Sequence, residues 1–276
     1  MARQRALTGD RSPAPQTTSP PRLTRAAGAG AGPGTGASPL VACASSLIFV
    51  MPAITAAFRA AGGPPLRISY GSSGNLARQM LQGAPFDLFL SADAVTLKPV
   101  LARPDLAKAT SSYATGRLAL VASRRSALWP ASSTPRAPLA DLRTALAASR
   151  IQRFAIAHPD HAPYGRAARE ALTRAGLWEA IKPRLVYGES VAQAGQFIMT
   201  GAAQAGLLAN ALARHPRLAR RLQARALPAA WHQPLDHVMV LREGSPPSAE
   251  RLFHFIGRPQ AQGLLRAAGF GPPAAP

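Results

Sequence analysis

The residues Tyr70-Gly71-Ser72-Ser73-Gly74-Asn75-Leu76-Ala77-Arg78-Gln79 carry the first recognisable chemistry of the chain. An apolar alternation (Leu66, Ile68, Tyr70) stops at small hydroxyl and glycine residues, and a helical pattern begins behind them. This predicts a strand, a turn and a helix N-terminus. The first N–H groups of a helix have no intrahelical partner and lie at the positive end of its dipole, so they hold an oxyanion without any full protein charge. Ser72 and Ser73 add hydroxyl donors, and Gly71 and Gly74 permit close backbone approach. One such stretch reads equally well as an ordinary serine N-cap. Repetition along the chain is what favours a site.

Leu40–Ala44 is a short apolar strand opening into Ser45-Ser46, with Met51, Ile54 and Phe58 at helical spacing behind it and Pro52 setting the helix start later than the serines. Phe154–Ala157 runs into His158-Pro159-Asp160-His161-Ala162-Pro163-Tyr164-Gly165, and Ala168, Ala171, Leu172 and Ala175 follow as a helix. Leu185–Tyr187 leads to Gly188-Glu189-Ser190-Val191, with Ala194, Phe197 and Ile198 continuing. Two junctions precede residue 115 and two follow it. Further strands are expected at 86–90, 117–122, 205–209 and 238–241, and helices at 139–149, 249–256 and 260–268, with a surface loop at 129–138. The alternation predicts an α/β fold with mainly parallel sheets, in which ligands sit at the carboxyl ends of strands. The simplest arrangement is two lobes facing each other across a cleft.

Other chemistries find little support. No Gly-x-Ser-x-Gly elbow occurs, and neither His158 nor His161 has a serine partner evident in sequence. Pro159 and Pro163 break the helix that would present the two histidines with Asp160 to a metal. Asp93 reads as a cap or turn residue, and the single Cys43 excludes an internal disulfide and a cysteine-based metal site. The 276 residues carry 32 Lys+Arg against 12 Asp+Glu, a net charge of +20. The arginines are scattered singly through helical stretches, with no basic block and no nucleic-acid motif, so they read as solvated faces and no nucleic-acid partner is expected. Residues 1–39, rich in Arg, Pro, Ala, Gly, Ser and Thr, read as a disordered low-complexity segment without a secretory hydrophobic region. Leu40-Val41-Ala42-Cys43 resembles a lipoprotein cleavage box, but cleavage there would delete the first core strand.

From residue 40 to 271 the chain resembles the molybdate-binding proteins that serve as substrate-binding subunits of ABC transporters. The likeness rests on Ala44-Ser45-Ser46-Leu47, on Gly71-Ser72-Ser73-Gly74, on Asp87-Leu88-Phe89-Leu90-Ser91-Ala92-Asp93, on Ala162-Pro163-Tyr164-Gly165-Arg166, on Gly188-Glu189-Ser190-Val191, and on Arg258-Pro259-Gln260-Ala261. It implies a two-lobe periplasmic-binding-protein type II fold, with residues 40–115 and 236–276 in one lobe, 116–235 in the other, and the ligand in the cleft between them. It implies that Ser45, Ser46, Ser73, the Tyr164 segment and the Val191 N–H hold the oxyanion. One branch of the family has a tyrosine near residue 209, where this chain reads Ala209-Asn210. Tyr164 then supplies the hydroxyl, with Asn210 as the alternative, and Glu189, the one nearby carboxylate, turns away as a capping residue. The implied function is binding of molybdate, and of tungstate with it, for delivery to a membrane permease, by a periplasmic monomer that is not an enzyme. No cofactor is implied, and molybdenum enters only as the oxyanion, with no direct metal ligand. The alternative is another tetrahedral oxyanion such as sulfate.

Overall fold

Leu40–Ala44 forms strand β1, and its unbroken apolar run fits a position flanked by parallel strands on both sides, β2 (Arg67–Gly71) and β3 (Leu88–Leu90). β4 (Ala109–Gly116) and β10 (Leu235–Leu241) complete this sheet in the order β2-β1-β3-β10-β4, with β10 antiparallel to both of its neighbours. The second sheet takes β5 (Leu118–Ser123), β6 (Phe154–Ala157), β7 (Leu185–Gly188), β8 (Ala205–Ala209) and β9 (Leu222–Ala226) in the order β7-β6-β8-β5-β9. Both sheets are therefore mixed, not mainly parallel as the alternation suggested. The antiparallel members include β4 and β9, which the sequence reading did not foresee. β4 is rich in Ser and Thr, and in β9 Leu222 alone is buried, with Gln and Arg among the rest, so neither carries the apolar run of a central strand.

The computed structural model describes residues 37–126, 128–129 and 138–274. Residues 1–36 of the expected low-complexity segment, and most of the expected 129–138 loop, lie outside the described residues. Both sheets belong to one compact unit, Pro33–Pro276.

α1 (Met51–Ala60) starts behind a 3-10 turn at Ser45–Leu47, and Pro52 stands in its first turn, where the missing N–H costs nothing. α2 (Ser73–Leu81) and α3 (Lys98–Leu101) follow on the first sheet. α4 (Pro138–Ala147), α5 (Pro163–Arg174), α6 (Trp178–Ile181), α7 (Val191–Thr200), α8 (Asn210–Arg214) and α9 (Pro216–Ala219) surround the second, and α10 (Pro247–Ile256) and α11 (Pro259–Ala268) return to the first. Among the described residues, no helix is long and apolar enough to cross a membrane.

Packing follows the sheets. One apolar cluster on the first sheet gathers Val41, Cys43, Met51, Ile54 and Phe58 with Leu252 and Ile256 of α10. Another takes Ala42, Leu76, Met80 and Phe89. The two sets alternate along β1, as side chains on opposite faces must. The second sheet has one large cluster around Leu118–Ala122, Phe154–Ala157 and Leu207.

Candidate functional site

Strand register brings the turns together. Ala44 pairs with Gly71 at the ends of β1 and β2, so Ser45 and Ser72 leave the sheet side by side, and Cys43 pairs with Leu90, so Ser91-Ala92 emerges next to them. In the second sheet Ala157 pairs with Gly188, which places the turns before α5 and α7 at one level. The two sets of strand ends face each other around a small cavity lined by Ala44, Ser45, Ser46, Gly71, Ser72, Ser73, Ala92, Ala162, Pro163, Tyr164 and Val191.

The cavity has the character of an anion cradle. Three helix starts converge on it: α2 behind the Ser72 cap, α5 behind Ala162 with Pro163 in its first turn, and α7 behind the Ser190 cap. Ser72 Oγ accepts from Asn75 N at 3.4 Å and Ser190 Oγ from Gln193 N at 3.4 Å, so each cap hydroxyl serves its own helix. No lining residue carries a charge, and Tyr164 alone among them has a titratable side chain that could be ionised. The cavity is small, with about 10 Å³ of room for the centres of water-sized spheres. A wider groove of about 710 Å³ shares Ser45, Gly71 and Ser72 with it but is lined otherwise by residues such as Phe49, Gln79, Gln196 and Met199. The converging helix starts make the smaller cavity the candidate site.

The residues expected to hold an oxyanion divide as follows. Ser45, Ser46, Ser73, Tyr164 and Val191 line the cavity. Ser73 Oγ accepts from Ala92 N at 2.9 Å, which ties the α2 turn to the end of β3 and leaves its O–H to donate. Ser45 Oγ accepts from Ala192 N at 3.4 Å, across the two sheets. The Tyr164 hydroxyl is buried and makes no hydrogen bond. Burial pushes its phenol well above the ordinary value, with the nearby Ser46 hydroxyl pulling more weakly the other way, so it stays a proton donor. Gly116 makes room for it, since a Cβ there would lie 2.4 Å from the Tyr164 oxygen. Asn210 is not among the lining residues: its N–H bonds to Arg117 O at 2.8 Å, and its side-chain amide lies beside Gly269.

Several contacts hold the two sheets together over the cavity. Gly74 N donates to His161 O at 2.9 Å, an approach only glycine allows, because a Cβ would meet that oxygen at 2.5 Å. Ser72 Oγ and His161 Nδ1 lie 3.0 Å apart. Glu189 is outside the cavity lining, yet it caps nothing: its carboxylate reaches Asn75 Nδ2 at 3.4 Å and His161 Nε2 at 3.4 Å. Asp93 accepts from Thr96 N at 3.0 Å, as a cap residue does, and also pairs with Arg166 of α5. Desolvation lowers the His161 pKa, with Glu189 the largest opposing influence.

Sequence reasoning missed two serine–histidine pairs, Ser72–His161 described above and a fully buried one. Ser46 Oγ lies 3.3 Å from Nε2 of the fully buried His237, whose Nδ1 is 2.9 Å from Leu235 O. A signal was present: Leu235, His237 and Met239 share the buried parity of β10. The pair lacks the carboxylate that orients a catalytic histidine, since a backbone carbonyl takes its place.

A family profile described as bacterial extracellular solute-binding protein matches residues 39–271. The chain belongs to this family. Among its relatives, the molybdate-binding protein ModA of Azotobacter vinelandii is 31% identical over 234 residues, which is 84% of this chain and 88% of that protein. The solved periplasmic molybdate-binding protein of Azotobacter vinelandii superposes with a TM-score of 0.73 at 26% identity, covering 86% of this chain and 100% of that one. The sulfate-binding protein SubI of Mycobacterium tuberculosis H37Rv superposes with a TM-score of 0.69 at 16% identity over 85% of this chain and 86% of that one, a likeness of fold alone. The chain shares its fold with these proteins: an α/β molecule with two mixed five-stranded sheets.

Proposed function

We propose that this solute-binding protein takes up molybdate, and tungstate with it, in the cavity between the two sheets and delivers it to an ABC-type permease outside the cytoplasm. The observation that carries the reading is the small cavity built from three helix starts and serine and tyrosine hydroxyls, with no charged side chain in its lining. Molybdate at neutral pH is a fully deprotonated dianion, which wants donors only. A hydrogen phosphate also carries a proton and would want an acceptor carboxylate. Ser45, Ser46, Ser73, Tyr164 and the Val191 N–H are the groups assigned to the anion. Similarity to ModA over most of both chains supports molybdate over sulfate, which has the same charge and shape.

The residues on the two sheets, 40–116 with 235–274 and 118–226, form the two lobes of this reading, and the Gly74–His161 and Asp93–Arg166 contacts close them over the anion. Binding and release, with no bond made or broken in the ligand, is the whole of the activity. Calorimetric titration with molybdate, tungstate, sulfate and phosphate in turn tests this. Tight binding of the first two and none of phosphate is expected. Equal binding of phosphate, or none of molybdate, refutes it.

A further inference from the structure

The Ser46–His237 contact sets a problem for an anion site. A carbonyl oxygen only accepts, so the Leu235 bond places the ring proton of neutral His237 on Nδ1 and leaves Nε2 as an acceptor. At 3.3 Å, Ser46 Oγ must then give its hydrogen to His237. Its oxygen faces the cavity with lone pairs only, beside the buried Tyr164 hydroxyl, whose O–H is the donor within its reach. A dianion arriving there would meet an acceptor where it needs a donor. Turning the Ser46 hydrogen to the anion would instead strand a buried Nε2.

We propose that His237 is the positioning residue for the Ser46 hydroxyl, taking one proton from water as a fully deprotonated oxyanion enters. Protonated Nε2–H then donates to Ser46 Oγ, and the Ser46 O–H turns to the anion. This rests on the oxyanion reading of the same cavity. The β4–β10 register shifts between His237 and Val238, with Tyr113 as the extra residue on β4, so the bulge bends the strand that packs Tyr113 against the His237 ring. Gly116 of β4 also leaves space, since a Cβ there would lie 2.7 Å from the His237 ring.

The surroundings of the ring are otherwise weakly polar. The rings of Tyr113, Tyr164 and Phe270 pack edge-on at centroid distances of 5.6, 6.0 and 5.3 Å. Both phenols stay protonated, because burial raises them. Asp93 is the charge that favours the imidazolium, and Arg166 pairs with it. Asp236, next along β10, lies 3.5 Å from the Thr115 hydroxyl, which donates to Pro272 O at 2.7 Å. Burial holds His237 down at about 4, so the free protein is neutral there at physiological pH and the proton must come with the anion.

The test is calorimetry of the full chain with sodium molybdate at pH 6.5, in buffers of different ionisation enthalpy. Uptake of about one proton per bound anion is expected, falling towards zero in alkaline buffer, where the affinity also reaches its lower plateau. In His237→Gln the side-chain amide donates to Ser46 without titrating, so binding should survive within about tenfold and become independent of pH. Should that variant not fold, nitrogen NMR of the wild-type histidines decides: one buried ring must change from neutral Nδ1–H to imidazolium on adding molybdate. Molybdate binding without proton uptake, uptake that persists in His237→Gln, or an unchanged ring overturns the assignment. Absence of binding by molybdate, tungstate and sulfate alike is a different result, which overturns the oxyanion reading and this inference with it.

Discussion

Tyr164→Phe separates a ligand hydroxyl from a packing ring, because it removes one oxygen and nothing else. In the structure that hydroxyl is buried, protonated and without a hydrogen bond, while the ring lies edge-on to His237 at 6.0 Å. A buried unpaired hydroxyl is a standing cost of about 1–3 kcal/mol, so the variant without ligand should be no less stable than the parent. With ligand the sign reverses. A hydrogen bond to a charged group contributes about 1.5–3 kcal/mol. Losing it should weaken molybdate binding roughly 10- to 150-fold, at about 1.4 kcal/mol per decade. The assay is paired: calorimetry for the dissociation constant, and thermal unfolding with and without molybdate. The expected signature is a melting temperature in the absence of ligand that holds or rises, together with a much smaller ligand-induced increase. If Phe binds molybdate as tightly as Tyr, the hydroxyl is no ligand, and the serine hydroxyls with the backbone N–H groups of the α5 and α7 turns hold the anion without it.

Two further outcomes follow from the same geometry. Ser73→Ala should weaken binding more than tenfold and also lower stability by about 1–3 kcal/mol, since Ala92 N loses its acceptor; calorimetry and denaturant unfolding measure the two, and an unaltered dissociation constant removes this turn from the site. Stability without ligand should fall as pH drops from 6.5 towards 4, because unfolded His237 takes a proton that the buried ring refuses; the loss approaches about 3 kcal/mol at roughly 1.4 kcal/mol per pH unit, and His237→Gln should flatten that part of a denaturation profile recorded against pH.

The strand–turn–helix junctions were legible because their signal is local. Apolar runs end in serine and glycine at Ser45, Gly71 and Gly188, and the register of parallel neighbours then forces those turns to one edge. What stayed hidden depends on pairing across long stretches of chain. Ser46 and His237 are 191 residues apart, and Asp93 and Arg166 are 73 apart. No periodicity records such a meeting. β4 and β9 escaped for another reason: a half-exposed strand rich in Ser and Thr, or one broken by Gln and Arg, shows no apolar run. Asn210, a position carried over from the family likeness, stands outside the cavity lining with its amide beside Gly269.

The charge of the chain and the charge of its site point in opposite directions, and the difference explains how an anion can be held selectively. With a net charge of +20, the surface attracts any anion, and salt screens that attraction over about 10 Å at 0.1 M. A cavity lined by lysine would inherit the same indifference, since a point charge accepts sulfate, phosphate and carboxylate alike. Here the lining offers only hydroxyls and helix starts fixed by strand register, with Arg166 turned to Asp93. Fixed dipoles reward an oxygen only where they point. Selectivity thus rests on the shape and protonation of the ligand, while the surface charge acts on encounter.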